Sequence, residues 1–135
     1  MKKFENYQNN LRVLETAGEQ DLGNNFVLSG IVDIFNIQFE LSWKVLKELL
    51  IYEGDITAKT GSPREIMKEA YRFYPCLEEE VWMDMLSQRN NMAHIYDNHA
   101  AKKLVEEILI RYIPSFQQLE KSILEKYGGV LKELS

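Results

Sequence analysis

The sequence predicts an all-α fold, an up-and-down bundle of four helices with one short additional helix. Apolar residues recur at spacings of three and four, the period of one helix face, along most of the 135-residue chain. The breaks between these stretches contain glycine, proline or capping residues, and no stretch alternates as a strand does. We expect one domain over residues 1–135, because a chain of this length buries roughly two-thirds of its unfolded surface.

The first two predicted helices occupy the N-terminal half of the chain. The first has four apolar residues on one face: Phe4, Tyr7, Leu11 and Leu14. It ends before the breaker residues of 18–25, and the second helix begins near residues 25–29 and runs to Tyr52, where Gly54 stops it. The apolar face of the second helix is unusually wide. We therefore expect it to pack on two sides, the second being another helix of the bundle or a second protein chain.

Two shorter helices follow. Residues 62–65, Ser-Pro-Arg-Glu, predict a capping box with proline at the first helical position, and the short helix that they begin ends before Pro75. The next helix begins at the acidic run 78–80, whose charges suit the positive end of the helix dipole. We expect it to continue at least to Ala93.

The last predicted helix is long and contains a proline. Asp97 or Asn98 can cap its start, and residues 128–129, both glycine, close it. Pro114 removes one backbone hydrogen bond, so we expect a bend near Ile110 rather than a domain boundary.

Charge and cysteine content narrow the possible functions. The net charge of −5 argues against a broad electrostatic hold on nucleic acid, so any such contact must be local. Cys76 is the single cysteine, and no Cys/His pattern has zinc spacing, so we expect no disulfide, metal or other cofactor. The N-terminal residues lack the apolar run of a signal peptide, and no apolar stretch has membrane-spanning length. These features predict a cytoplasmic protein with no membrane partner.

Arg89 interrupts the apolar face of the fourth predicted helix, at a position where a leucine is usual. Its stem can cover apolar surface with the charge in water, or it can pair with a carboxylate across the bundle. Alternatively it belongs to a functional site with His94 and Tyr96. On a regular helix His94 points about 140° away from Arg89. The two side chains therefore meet only if the helix loosens after residues 90–91 or if a two-fold dimer brings them together.

Four polar residues of the second helix also need an explanation. Glu40 and Lys44 are four residues apart and predict an exposed ion pair opposite the apolar face. Gln38 and Ser42 interrupt that face. They satisfy each other or the backbone, or else they form a polar pocket for Arg89.

The motif Arg89-x4-His94-x-Tyr96 resembles that of the HEPN superfamily, specifically the HepT toxins and their sister family of nucleotidyltransferase substrate-binding proteins. Three further stretches resemble the substrate-binding family in order and spacing: Phe39–Lys44, Gly61–Glu65 and Trp82–Leu86. The resemblance thus covers nearly the whole chain. It implies a four-helix bundle that acts as a homodimer and has a minimal nucleotidyltransferase, encoded nearby, as its partner.

The resemblance also implies roles for the motif residues. In catalytically active relatives the Arg and His cut RNA without a metal. Arg89 would neutralise charge on the scissile phosphate, and His94 would take the proton of the ribose 2′-hydroxyl. Asn90 would orient the imidazole, or it simply caps the helix end. Tyr96 would be adenylylated by the nucleotidyltransferase, or it packs against the bundle.

Two functions therefore stay open. The first is an RNA-cleaving toxin that its partner holds in check, which the presence of Arg89, His94 and Tyr96 favours. The second is a non-catalytic subunit that docks on a nucleotidyltransferase and helps it hold a substrate, which the acidic charge and the extended resemblance favour. A bundle without a ligand is the least favoured, because it has no need of an arginine inside an apolar face.

Overall fold

The computed structural model describes residues 1–91 and 97–134, except for the side chain of Asn98. Within these residues all regular structure is helical and no strand occurs, so the predicted all-α fold is confirmed. The α-helices are α1 (Lys2–Leu14), α2 (Asn25–Tyr52), α3 (Pro63–Phe73), α4 (Glu79–Asn90), α5 (Asn98–Glu107) and α6 (Ile113–Tyr127). In the described part of the chain, no helix is both long and apolar enough to cross a membrane.

A π-helical turn at Ile108–Tyr112 joins α5 and α6 into one long rod. The backbone N–H of Ile113 donates to the carbonyl oxygen of Ile108, five residues back. Pro114 has no N–H, and its ring crowds the preceding turn, so the helix widens at this point. A π turn therefore lies where the sequence predicts a bend, near Ile110, and the bend itself stays a prediction.

Pairs of contacts along the helix axes fix the relative directions of α1, α2, α4 and the α5–α6 rod. α1 runs antiparallel to α2, as two hydrogen bonds show: Lys3 to Glu48 and Asn10 to the Ile34 carbonyl. The α5–α6 rod runs parallel to α2, as two aromatic pairs show: Phe35 with Tyr112 and Tyr52 with Tyr127. α4 runs antiparallel to that rod, as two contacts show: Asp84 with Arg111 and Trp82 with Phe116. α1 and α4 thus run opposite to α2 and the α5–α6 rod, α2 packs directly on the parallel α5, and α3 is the additional short helix.

α2 is the central element of the bundle. It packs against α1 on one side and against α3, α4 and α5 on others, so the wide apolar face finds its second partner within the bundle. The buried apolar side chains form one cluster, whose largest fully buried members are Trp82, Tyr7, Tyr112, Phe35, Phe39 and Phe116. Burial of this whole cluster supplies the main driving force for folding.

Local sequence signals set most helix ends. Asn24 caps α2, Ser62 and Glu65 form the predicted capping box of α3, and Asp97 caps α5. Gly54 follows α2 with a φ of 92°, a conformation that favours glycine. These caps confirm the predicted starts of the three helices.

The predicted end of the fourth helix is wrong. α4 ends at Asn90, and the backbone of Asn91 leaves the helical region with φ −97° and ψ 5°. Its N–H still donates to the carbonyl oxygens of Ser87 and Gln88, which closes the last turn. Ala93 lies outside the described residues.

The two buried polar residues of α2 are satisfied without Arg89. The Gln38 amide donates to the carbonyl oxygen of Tyr7 at 3.2 Å and accepts from the Asn10 amide at 2.8 Å. The Ser42 hydroxyl donates to the carbonyl oxygen of Gln38 at 2.7 Å. These bonds confirm the expected backbone satisfaction and tie α2 to α1.

Candidate functional site

Arg89 lies in the last turn of α4, where its side chain is 31% exposed. Its Nε atom donates to Oε1 of Glu40 at 2.5 Å, and its Nη1 atom donates to Oδ1 of Asn90 at 3.1 Å. The arginine in the apolar face thus pairs with a carboxylate across the bundle, one of the arrangements predicted from the sequence. The Arg89–Glu40 ion pair thus joins α4 to α2 at the C-terminal end of α4.

Glu40 joins Arg89 to a second side chain. Its Oε2 atom accepts a hydrogen bond from Nε1 of Trp43 at 3.0 Å. The predicted ion pair of Glu40 with Lys44 is wrong, because Glu40 lies beside the apolar face, within reach of α4, rather than opposite it. Lys44 instead places its ammonium group 5.8 Å from the centre of the Trp43 ring. Both carboxylate oxygens of Glu40 are therefore engaged, which holds the Arg89 guanidinium in one position.

The pair leaves part of the guanidinium available. An arginine carries five N–H donors, and Nη2 of Arg89 makes no hydrogen bond with a described residue. Glu40 meanwhile offsets the arginine charge at close range. The site therefore offers a polar ligand both hydrogen-bond donors and acceptors, from Arg89, Glu40 and Asn90. It does not offer an uncompensated positive charge.

Asn90 has a contact that neither predicted role includes. Its side-chain oxygen accepts from Arg89, so in this structure it orients the guanidinium. Whether it also orients the imidazole stays a prediction, since His94 and Tyr96 lie outside the described residues. The regular helix of α4 ends at Asn90, before His94 is reached. A helix end at this point is what the predicted meeting of Arg89 and His94 requires, and the meeting itself stays a prediction.

A cleft of about 460 Å³ lies on another side of α4, between that helix and the α5–α6 rod. Arg111 crosses its wall, donating to Glu107 at 2.9 Å and to Asp84 at 2.8 Å. The hydrogen bonds to Glu107 and then Asp84 raise the pKa of Arg111, while burial raises the pKa of neighbouring Tyr112 to about 12. Lys103 also lines the cleft and makes no ion pair with a described residue. The single positive charge of Arg111 thus faces two carboxylates in the wall of the cleft.

Sequence reasoning missed Glu40 and Trp43 as parts of the site. The signal was present in the unusual position of Arg89, which requires a carboxylate nearby, and in the breadth of the apolar face of α2. Within residues 1–91 and 97–134, no three His, Cys, Asp or Glu side chains are grouped so as to hold a metal ion.

The fold and site define an all-α bundle with a neutralised arginine at the end of its fourth helix. Residues 2–125 match the family model described as nucleotidyltransferase substrate binding protein like. Because that match covers most of the chain, the protein belongs to this family. A comparison with curated proteins finds no match.

Proposed function

We propose that this chain is the helical subunit of a two-protein module, in which it docks on a small nucleotidyltransferase and helps it hold a substrate. The observation that carries this proposal is the family match over residues 2–125, taken with the polar site at the end of α4. The site would comprise Arg89, Glu40 and Asn90, followed along the chain by His94 and Tyr96. No step of the transfer itself is assigned to these residues.

The charge balance supports a holding role over independent catalysis. An arginine that stabilises a scissile phosphate acts best when no carboxylate competes for its donors, whereas Glu40 takes the Nε donor of Arg89 at 2.5 Å. The chain also carries a net charge of −5, which weakens long-range attraction of RNA. A ligand with both donors and acceptors suits such a site better than a polyanion does.

A transfer assay tests this function. The chain is co-expressed with the nucleotidyltransferase encoded beside it, and the complex is incubated with labelled ATP and a host extract that supplies the acceptor. We expect Arg89→Gln to lower label transfer by about tenfold, since a hydrogen bond to a charged group is worth roughly 1.5–3 kcal/mol. Arg72→Gln is the matched control, because Arg72 is exposed and pairs only within α3. Equal transfer in both variants would contradict the proposal.

A second candidate function is metal-independent RNA cleavage by Arg89 and His94. It is favoured by Nη2 of Arg89, which makes no hydrogen bond with a described residue, and by the end of α4 at Asn90. His94 would take the proton from the ribose 2′-hydroxyl, whose oxygen then attacks phosphorus. The bond from phosphorus to the 5′-oxygen breaks, and that oxygen takes up a proton. Arg89 would stabilise the charge on the phosphoryl oxygens.

Regulation and assembly complete the proposal. Tyr96 would accept adenylate from the nucleotidyltransferase, and the added charge and bulk would close the site to RNA. The chain would act as a homodimer. Support for a second copy comes from Phe26 and Ile37 of α2, which are 89% and 49% exposed.

A further inference from the structure

A separate cleft of about 380 Å³ lies where α2 meets the start of α1. It is lined by Lys3, Trp43, Lys44, Lys47, Glu48 and Ile51. Its volume falls within the range of small-ligand sites, which begins at roughly 300 Å³. Neither the family match nor the Arg89 site assigns a role to this cleft.

The cleft is positive on a protein that is negative overall. Three lysines and one glutamate line it, whereas the whole chain has a net charge of −5. Lys3 pairs with Glu48 at 2.5 Å, but Lys44 and Lys47 make no ion pair with a described residue. Two ammonium groups one helical turn apart are therefore available to an anion such as phosphate.

Trp43 adds an aromatic surface to these charges. The indole is partly buried against the core, and its Nε1 atom is held by Glu40. The Lys44 ammonium lies 5.8 Å from the ring centre, so the charge and the aromatic surface are side by side in the cleft. An indole beside free lysines matches the two parts of a nucleotide, since the base stacks on aromatic rings and the phosphate binds ammonium groups.

We propose that this cleft binds a nucleotide, with the base on the Trp43 indole and the phosphate on Lys44 and Lys47. The inference rests on the proposed function, because the partner uses a nucleotide as substrate. Lys47 lies seven residues after Glu40 on α2, about 10 Å along the helix axis. The cleft is thus adjacent to the Arg89 site, and Glu40 connects the two. The nucleotide is either free or part of a single strand.

Binding of purified full-length chain to defined probes tests the cleft. Calorimetry and Trp43 fluorescence are recorded with AMP, adenosine, inorganic phosphate and a 5′-phosphorylated hexanucleotide. The variant Trp43→Phe shows whether a fluorescence change comes from Trp43, because the other tryptophan, Trp82, is buried. We expect AMP or the hexanucleotide to bind at least about tenfold more tightly than adenosine and phosphate.

The lysines are tested with a charge-matched pair of double variants. Lys44→Gln with Lys47→Gln should weaken nucleotide binding by about tenfold, as expected for the loss of two partly exposed ion pairs. Lys68→Gln with Lys121→Gln removes the same charge from other exposed positions and should change binding little. A preference for AMP identifies a free nucleotide, and a preference for the hexanucleotide identifies a strand.

Three results would overturn the inference. The first is that neither AMP nor the hexanucleotide binds, and the second is that adenosine or phosphate binds as tightly as they do. The third is that both double variants weaken binding equally. Co-purification of the chain with the nucleotidyltransferase distinguishes failure of the nucleotide-cleft inference from failure of the proposed function. A complex that forms without nucleotide binding at the cleft rejects the cleft alone. Nucleotide binding by a chain that forms no complex rejects the proposed function alone.

Discussion

The guanidinium of Arg89 lies 2.5 Å from the carboxylate of Glu40, across the contact between α4 and α2. The two residues are far apart in the chain, so their pairing depends on how the two helices pack. The pair places a charged, partly exposed group at the point where α4 ends. Both functions proposed for the chain, substrate holding and RNA cleavage, use that position.

The Arg89–Glu40 pair should contribute modestly to stability. Its side chains are 31% and 26% exposed, so water screens the interaction. A double-mutant cycle of Glu40→Gln and Arg89→Met, followed by urea unfolding, should give a coupling energy of about 0.5–1 kcal/mol. Glu125→Gln, an exposed glutamate of α6, serves as the control and should show no coupling with Arg89→Met. A coupling near zero in both cycles would show that the pair does not form in solution.

The RNA-cleaving function predicts a specific pattern of loss. Chain purified without its partner should cut a structured RNA in the presence of a chelator, and His94→Ala should abolish the cutting. Arg89→Lys should also lose most activity, because lysine keeps the charge but not the paired donors of the guanidinium. Gel analysis of the RNA measures both. Cutting that survives His94→Ala, or no cutting by the unmodified wild type, would leave the substrate-holding function.

Adenylylation of Tyr96 predicts a mass change. Incubation with the nucleotidyltransferase and ATP should add adenylate to the chain, and Tyr96→Phe should prevent the addition. Intact-protein mass spectrometry detects the product. Tyr52→Phe is the control, because Tyr52 is half-exposed and lies on a different part of the bundle. Label that persists in Tyr96→Phe would move the modification to another residue.

Two carboxylates predict a pH dependence of stability: Asp55, which precedes α3, and Glu69, which lies within it. The Thr57 hydroxyl, which donates to Asp55 at 2.6 Å, is the largest cause of a lowered pKa of Asp55. Oδ2 of Asp55 accepts no hydrogen bond from a described residue. A protonated Glu69 carboxyl can donate to Asp55, and this hydrogen bond is the largest cause of a raised pKa of Glu69. The stability from Glu69 is present below its unfolded pKa and is lost as pH rises through its folded pKa. The stability that Asp55 contributes is present above the pKa of Asp55 in the unfolded chain, and it is lost as the pH falls through the pKa of Asp55 in the folded protein.

Glu69→Gln tests this dependence, because glutamine still donates to Asp55 but never ionises. The variant should melt higher than wild type near neutral pH, and the difference should shrink as pH falls toward about 4, the ordinary range of carboxyl pKa values. Thermal melts across this range measure the difference. The exposed contact of Glu69 with Arg72, at 3.6 Å, contributes little. A difference that is constant with pH would exclude a protonated Glu69 as the source of this stability.

Sequence reasoning predicted features that depend on local interactions. The predicted caps at Ser62 and Asp97 act within a few residues, and the three-four spacing of apolar residues determines which helix face is buried. The effect of Pro114 was predicted in position but not in form, because loss of a donor can produce either a kink or a π turn.

The partner of Arg89 was harder to predict. Glu40 had a lysine four residues away, and local spacing favoured that pair over a contact with another helix. Only the packing of α4 on α2 brings Arg89 close enough to compete. The relation of His94 and Tyr96 to Arg89 stays a prediction, since those two residues lie outside the described part of the chain.

Docking on a nucleotidyltransferase is the central claim, and the mass of the purified complex tests it most directly. We expect a small nucleotidyltransferase to be encoded beside this chain. The two are co-expressed with a tag on the nucleotidyltransferase alone, and the eluate is analysed by size-exclusion chromatography with light scattering. The proposed function predicts one peak that contains both chains in a fixed ratio. Separate elution of the two chains, with each folded and soluble, would contradict it.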